Sequence, residues 1–175
     1  GRGLGKQIAT GFAEAGADVV VCSRNIESCR EVSESLKKLG VKSLALACDV
    51  SNQESVKEVI KQTMETFGKI DILVNNSGAS WGMSVEEMPL EAWEKVMKVN
   101  VTGTFLMSQE VGKVMLQQGA GKIINIASVA GLKGSSTEEL NAIGYSTSKG
   151  AVVTFTKDLA VKWGARGIQV NAIAP

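Results

Sequence analysis

GRGLGKQIATGFAEAGADVVVCSR, residues 1–24, reads in succession as a glycine turn, a helix and a strand. Leu4 to Ala15 puts Ile8, Ala9 and Phe12 on one helical face, and Gly16 supplies a C-cap. The run Asp18-Val19-Val20-Val21-Cys22 has the β-branched, uncharged character of a strand buried on both faces. A glycine turn opening a helix also lets the backbone approach a phosphate, with free N–H groups at the helix start. A tight turn with no ligand explains the same glycines equally well.

Outward from this stretch the alternation repeats. Asn25 is placed to cap a helix carrying Val32, Leu36 and Leu39 inward and ending at Gly40, and Ser43 to Ala47 follows as a strand. Ser51-Asn52-Gln53-Glu54 has the capping-box pattern, and Val56, Val59, Ile60, Met64 and Phe67 form one stripe behind it. Ile70 to Val74 is a third strand and 89–118 one long helical stretch. Lys122 to Ala127 is a fourth strand, Tyr145 to Gly164 a helix, and Ile168 to Ala172 a fifth strand. Strands alternating with helices predict an α/β fold with a doubly wound parallel sheet and helices on both faces. Without a repeat or linker, residues 1–175 are expected to form a single domain.

Composition narrows the chemistry. Nineteen Lys and Arg against 18 Asp and Glu point to no nucleic-acid partner, and no apolar run approaches a membrane span. Three cysteines, odd in number and with no CxxC, suit a reducing compartment, so a cytoplasmic protein is expected. The absence of histidine removes Ser-His-Asp hydrolases, Cys-His proteases and His-containing zinc sites together, and no metal is expected. Acid–base work falls to Tyr, Lys, Asp, Glu or a thiol.

Tyr145-Ser-Thr-Ser-Lys149 is the sharpest candidate. Four residues apart, Tyr and Lys share a helical face. A free phenol, with a pKa near ~10, is a poor acid–base group at neutral pH, and an adjacent ammonium favours the phenolate. The strand before it delivers Ser128 at its carboxyl end, where an open α/β sheet presents catalytic groups. Ser23-Arg24 ends an earlier strand without an acidic residue beside it. A guanidinium there, with Arg2, suits the 2′-phosphate of NADP better than the free hydroxyl of NAD. Two ordinary surface arginines are the plainer reading.

In order along the chain, Gly1-Arg-Gly-Leu-Gly5, Asp49-Val50, Asn75-Asn-Ser-Gly78, Asn100, Ser128, Tyr145-x-x-x-Lys149 and Asn171-Ala-Ile-Ala-Pro175 resemble the short-chain dehydrogenase/reductase family. The resemblance implies a Rossmann-type sheet and a tetrad of Asn100, Ser128, Tyr145 and Lys149. By it, Tyr145 is the acid–base group, and Lys149 favours the phenolate while binding the nicotinamide ribose. Ser128 orients the carbonyl, and Asn100 holds a relay water. The cofactor would be NADP(H), contacted by Gly1, Arg2, Gly3, Leu4, Gly5, Ser23, Arg24, Asp49, Val50, Asn76, Ser77 and Gly78, besides Tyr145 and Lys149. The nearest members are similar to 3-oxoacyl-carrier-protein reductases, with gluconate 5-dehydrogenase-like sugar reductases as the alternative. The implied partners are a small carbonyl or alcohol substrate and further copies in a dimer or tetramer.

Three departures accompany the resemblance. Ser77 stands where the family motif has alanine. The interval from Ser128 to Tyr145 is long, with Ser135 to Leu140 as the insertion, which leaves the substrate open. The first strand and everything after Pro175 are missing from the pattern, which also leaves organelle targeting open. A sensor that kept the cofactor and lost the chemistry, and an NAD-dependent alcohol oxidase, are the competing readings. The first strand is central in the 3-2-1-4-5-6 order. The isolated 175-residue piece is therefore expected to be inactive, an expectation that any measurable NADPH turnover by it would disprove.

Overall fold

The computed structural model describes residues 3–175; Gly1 and Arg2, both expected in the glycine turn, lie outside the described residues. By internal contacts the chain forms two compact units, one through Gly68 and one from Lys69 to Pro175.

In the first unit, α1 (Leu4–Glu14), β1 (Val19–Ser23), α2 (Ile26–Lys37), β2 (Ser43–Ala47) and α3 (Gln53–Phe67) follow one another. The strands pair in parallel, Val19 opposite Ser43 through Ser23 opposite Ala47. Ala9 and Ala13 of α1 close on Val32 and Leu36 of α2, with Val19, Val21 and Val41 against them. Small alanines on α1 let the helices approach, so Ala13 replaces Ile8 and Phe12 as the buried partner of Ala9; those two larger residues are only half-buried. Alternate strand residues point to opposite faces, which turns Cys22 away from this cluster.

Helix α1 ends at Glu14, and Gly16 closes it as expected: it takes the left-handed region at φ 87°, its N–H donates to Ala13 O at 2.9 Å, and Ala17 N donates to Phe12 O at 3.0 Å. One cap is corrected. At α3 the cap is Asn52, whose Oδ1 accepts from Ser55 N at 2.9 Å. Ser51 is unavailable because its Oγ donates to Asp49 Oδ1 at 2.7 Å.

The second unit holds β3 (Ile72–Asn75), α4 (Leu90–Met97), α5 (Gly103–Gln118), β4 (Gly121–Ile126), α6 (Ile143–Gly164) and β5 (Ile168–Ile173). Its sheet runs β3-β4-β5, all parallel. Leu73, Asn75, Ile123, Asn125, Ile168 and Val170 are buried along one face, while Ile72, Lys122 and Gln169 on the other are exposed. The expected helical stretch over 89–118 is helical from Leu90 to Gln118, with a π turn, Lys98–Thr102, between the two α-helices. Such a turn inserts one extra residue per ring and is concentrated at functional sites.

In each unit parallel strands are linked through helices, the βαβ arrangement of a doubly wound fold. The architecture is the Rossmann-type α/β fold.

The second unit is tied across its core by polar side chains. Asn75 and Asn125 lie opposite one another in register. Asn75 Nδ2 donates to Asn125 Oδ1 at 2.8 Å and to Ser108 Oγ on α5 at 2.9 Å. Asn125 Nδ2 donates to Thr156 Oγ1 on α6 at 2.9 Å. A buried amide without partners costs its full desolvation penalty, so this network is stable only when complete. Asn125→Ala is expected to cost about 2 kcal/mol, measured by urea unfolding. Asn171→Ala, at an exposed position on β5, should stay within about 0.5 kcal/mol.

Candidate active site

Lys149 lies one helical turn after Tyr145 on α6, and the geometry explains the spacing. Its ammonium stands 5.6 Å from the centre of the Tyr145 ring. Nζ donates to the carbonyl of Ile126, at the end of β4, at 2.6 Å. The side chain is buried, and desolvation holds its pKa below the usual lysine value. One cation thus faces the phenol ring and ties the helix to the strand end.

Ser128 follows β4 by two residues and opens a short 3₁₀ turn, Val129–Gly131, with its Oγ accepting from Ala130 N at 3.3 Å. That turn lies directly on α6. A Cβ placed on Gly131 would come within 2.5 Å of the Lys149 carbonyl carbon and the Gly150 nitrogen. Only glycine permits so close an approach of two backbones, and it is what seats the Ser128 segment against the turn bearing Lys149. The requirement for glycine at 131 was missed in the sequence, where nothing distinguishes it from a loop glycine.

Asn100 is almost fully buried in the π turn. Its Oδ1 accepts from Ala79 N at 2.7 Å, and its Nδ2 donates to Ala79 O at 2.9 Å and to Ser148 Oγ at 2.8 Å. Its backbone carbonyl accepts from Thr104 Oγ1 at 2.8 Å. The side chain is therefore a brace, with both amide N–H groups and one Oδ1 lone pair engaged.

Asn76, Ser77 and Gly78 form the loop after β3, and Ser77 and Gly78 are exposed. Gly78 brings that loop to the site: a Cβ built on it would lie 3.7 Å from Asn100 Oδ1 and 3.9 Å from Lys149 Nζ. Asn100, Ser128, Tyr145 and Lys149 all belong to the second unit.

The first unit carries the other expected contacts. Gly3 caps α1 in the left-handed region at φ 69°, with no atom within 4 Å of a Cβ there, while Leu4 is exposed and Gly5 half-buried. The ends of β1 and β2 are joined by Cys48 N donating to Ser23 O at 2.9 Å. This brings Ser23-Arg24 beside Asp49-Val50. Asp49 Oδ1 accepts from Ser51 N at 2.9 Å, and Ser23 Oγ donates to Asn25 O at 3.0 Å. Arg24 is exposed. An open helix start with glycine before it, and a guanidinium at a strand end, fit a phosphorylated nucleotide.

Burial of the Lys149 ammonium has a stability consequence whose sign is fixed. With its folded pKa depressed, the folded state binds fewer protons than the unfolded chain. The cost is complete below the folded pKa and vanishes as pH rises through the ordinary lysine value. Lys149→Met is therefore expected to unfold at the same or higher urea concentration than the parent at neutral pH. The difference should shrink toward alkaline pH, followed in parallel urea series without cofactor.

The profile of the family described as short chain dehydrogenase matches residues 1–175. A 3-oxoacyl-[acyl-carrier-protein] reductase of a Synechocystis species is 38% identical over 99% of this chain and 69% of its own length. A 2-dehydro-3-deoxy-D-gluconate 5-dehydrogenase of Pseudoalteromonas atlantica is 39% identical over 99% of this chain and 67% of its own. The solved structure of an NAD+-bound xylitol dehydrogenase superposes with a TM-score of 0.93 at 34% identity, covering 98% of this chain and 65% of that one. The chain thus spans about two thirds of each. With this fold, and a match running from end to end, the chain belongs to the short chain dehydrogenase family of nicotinamide-dependent oxidoreductases.

Proposed function

We propose that this chain carries the catalytic core of an NADPH-dependent reductase that converts a ketone, of the 3-oxoacyl thioester type or related to it, to an alcohol. The observation that carries the reading is the buried Lys149 ammonium facing the Tyr145 ring and bonded to the end of β4 beside Ser128. Bound NADPH supplies the hydride. The phenol of Tyr145 delivers the proton to the carbonyl oxygen, and Ser128 Oγ hydrogen-bonds that oxygen as its charge develops. Lys149 Nζ holds the nicotinamide ribose and electrostatically favours the tyrosine's ionised form after transfer. The carbonyl of Asn100 accepts from a water that leads the replacement proton in. Gly1, Gly3, Leu4 and Gly5 hold the pyrophosphate, Arg2 adds a second positive charge for the 2′-phosphate, and Asn76, Ser77 and Gly78 border the nicotinamide side. Asp49 and Val50 contact the adenine, and Ser23-Arg24 receives the 2′-phosphate of NADP.

A sugar-acid or polyol substrate is the second reading, supported by the 39% identity to the gluconate-type relative. Free cysteines at 22, 29 and 48 support a reducing, cytoplasmic setting. Exposed Phe105 on α5 and Val161 on α6 support pairing with further copies.

The natural full-length protein, given NADPH with an acetoacetyl thioester, 5-ketogluconate or a simple diketone, is expected to reduce one of them. Tyr145→Phe should lower kcat by about 10²–10⁴-fold with NADPH binding retained. Binding of NADPH without turnover of any ketone would favour the non-catalytic sensor. Arg24→Asp should shift preference from NADP toward NAD, and an unchanged ratio would remove Arg24 as the 2′-phosphate reader.

A further inference from the structure

A serine inside a helix ordinarily returns its hydroxyl to the carbonyl three or four residues earlier, and nothing more is asked of it. Ser148, immediately before Lys149, does this, donating from Oγ to Tyr145 O at 2.7 Å. The same hydroxyl also accepts from Asn100 Nδ2 at 2.8 Å, and the residue is fully buried, with a relative exposure of 0%. Through Asn100 the bonds continue to the peptide of Ala79, which is held at both its N–H and its carbonyl. One hydrogen-bonded chain therefore joins three separate pieces of backbone: the loop after β3, the π turn and the first turn of α6.

The arrangement is directional. Oδ1 of Asn100 can satisfy Ala79 N only while Nδ2 points at Ala79 O and Ser148. The serine hydrogen is committed to Tyr145 O, which leaves an oxygen lone pair as the acceptor for Asn100. A buried amide deprived of one partner rotates or shifts to recover it, and every movement open to Asn100 carries the π turn with it. That turn bears the carbonyl proposed to hold the relay water, and Tyr145 begins the opposite end of the same chain of bonds. Alanine at 148 would fill the helix equally well and break both links.

We propose that Ser148 is a positioning residue, setting the distance and angle between the π turn at Asn100 and the first turn of the helix that carries Tyr145. It touches no reacting atom. Its kinetic consequence rests on the reading of Tyr145 as proton donor, whereas its structural consequence does not, and the two are measured separately.

The structural arm is amide hydrogen exchange in Ser148→Ala, read at Ala79, whose N–H is held by Asn100 Oδ1. Protection there is expected to fall by about tenfold or more, while protection in β4 and β5 is retained. Unchanged protection at Ala79 would overturn the proposal. The kinetic arm uses the natural full-length protein with whichever ketone it reduces. Ser148→Ala should lower kcat by about tenfold or more while KM for NADPH and ketone stays within about twofold. A double variant with Asn100→Ala should be no slower than Asn100→Ala alone, because both act through one brace. Losses that multiply, or a kcat within about twofold of the parent, would overturn it. Full turnover by Tyr145→Phe would sink the proposed reaction and leave the exchange result to decide the role of Ser148.

Discussion

An ammonium taken out of water needs an acceptor, and Lys149 finds one in the carbonyl of Ile126 at 2.6 Å. The bond does more than offset desolvation. Ile126 is the last residue of β4 and Ser128 follows it by two, so the cation pins the strand end that delivers the serine. From the other side, Gly131 lays its backbone on that of Lys149 and Gly150. The Ser128 segment is thereby held to α6 by one polar bond and one steric contact, with Tyr145 a turn away on the same face. An apolar residue at 149 would remove the desolvation cost and, with it, the bond that holds the strand end.

Beneath this site the second unit relies on polar groups where most cores rely on apolar ones. The Asn75–Asn125 pair, Ser108 and Thr156 cross two strands and two helices. Ahead of them, Asn100 and Ser148 join a loop, a π turn and a helix. Apolar packing is non-directional, whereas each hydrogen bond in this series fixes a partner and a direction. That is a physical reason to find such networks under a site where atoms must be placed to within about 0.5 Å.

Much of the fold was legible because it follows from period alone. The strand Ser43–Ala47 matches its expected bounds, and the other four strands fall within two residues of theirs. Asn25 caps α2 as its position suggested, accepting from Ser28 N at 3.1 Å. The misread cap reflects a local competition. Ser51 and Asn52 are both good caps, and the contest was decided by Asp49, which captured the Ser51 hydroxyl. The stretch 89–118 has helical periodicity throughout, and a π turn of five residues leaves that periodicity nearly unchanged.

By itself, the sequence narrowed the class of chemistry. With no histidine and one tyrosine, set four residues before a lysine on a helix face, few acid–base designs remain. It also determined the alternation of elements, since hydrophobic period is a property of neighbours along the chain. Only the tertiary structure decided that the amide of Asn100 is a brace with both its N–H groups engaged. The same holds for Ser148 as the hinge point of that brace, and for glycine as the one residue that fits at 131. The brace and the glycine contact join partners 18 to 48 residues apart, and no local pattern records which distant backbone a side chain will meet.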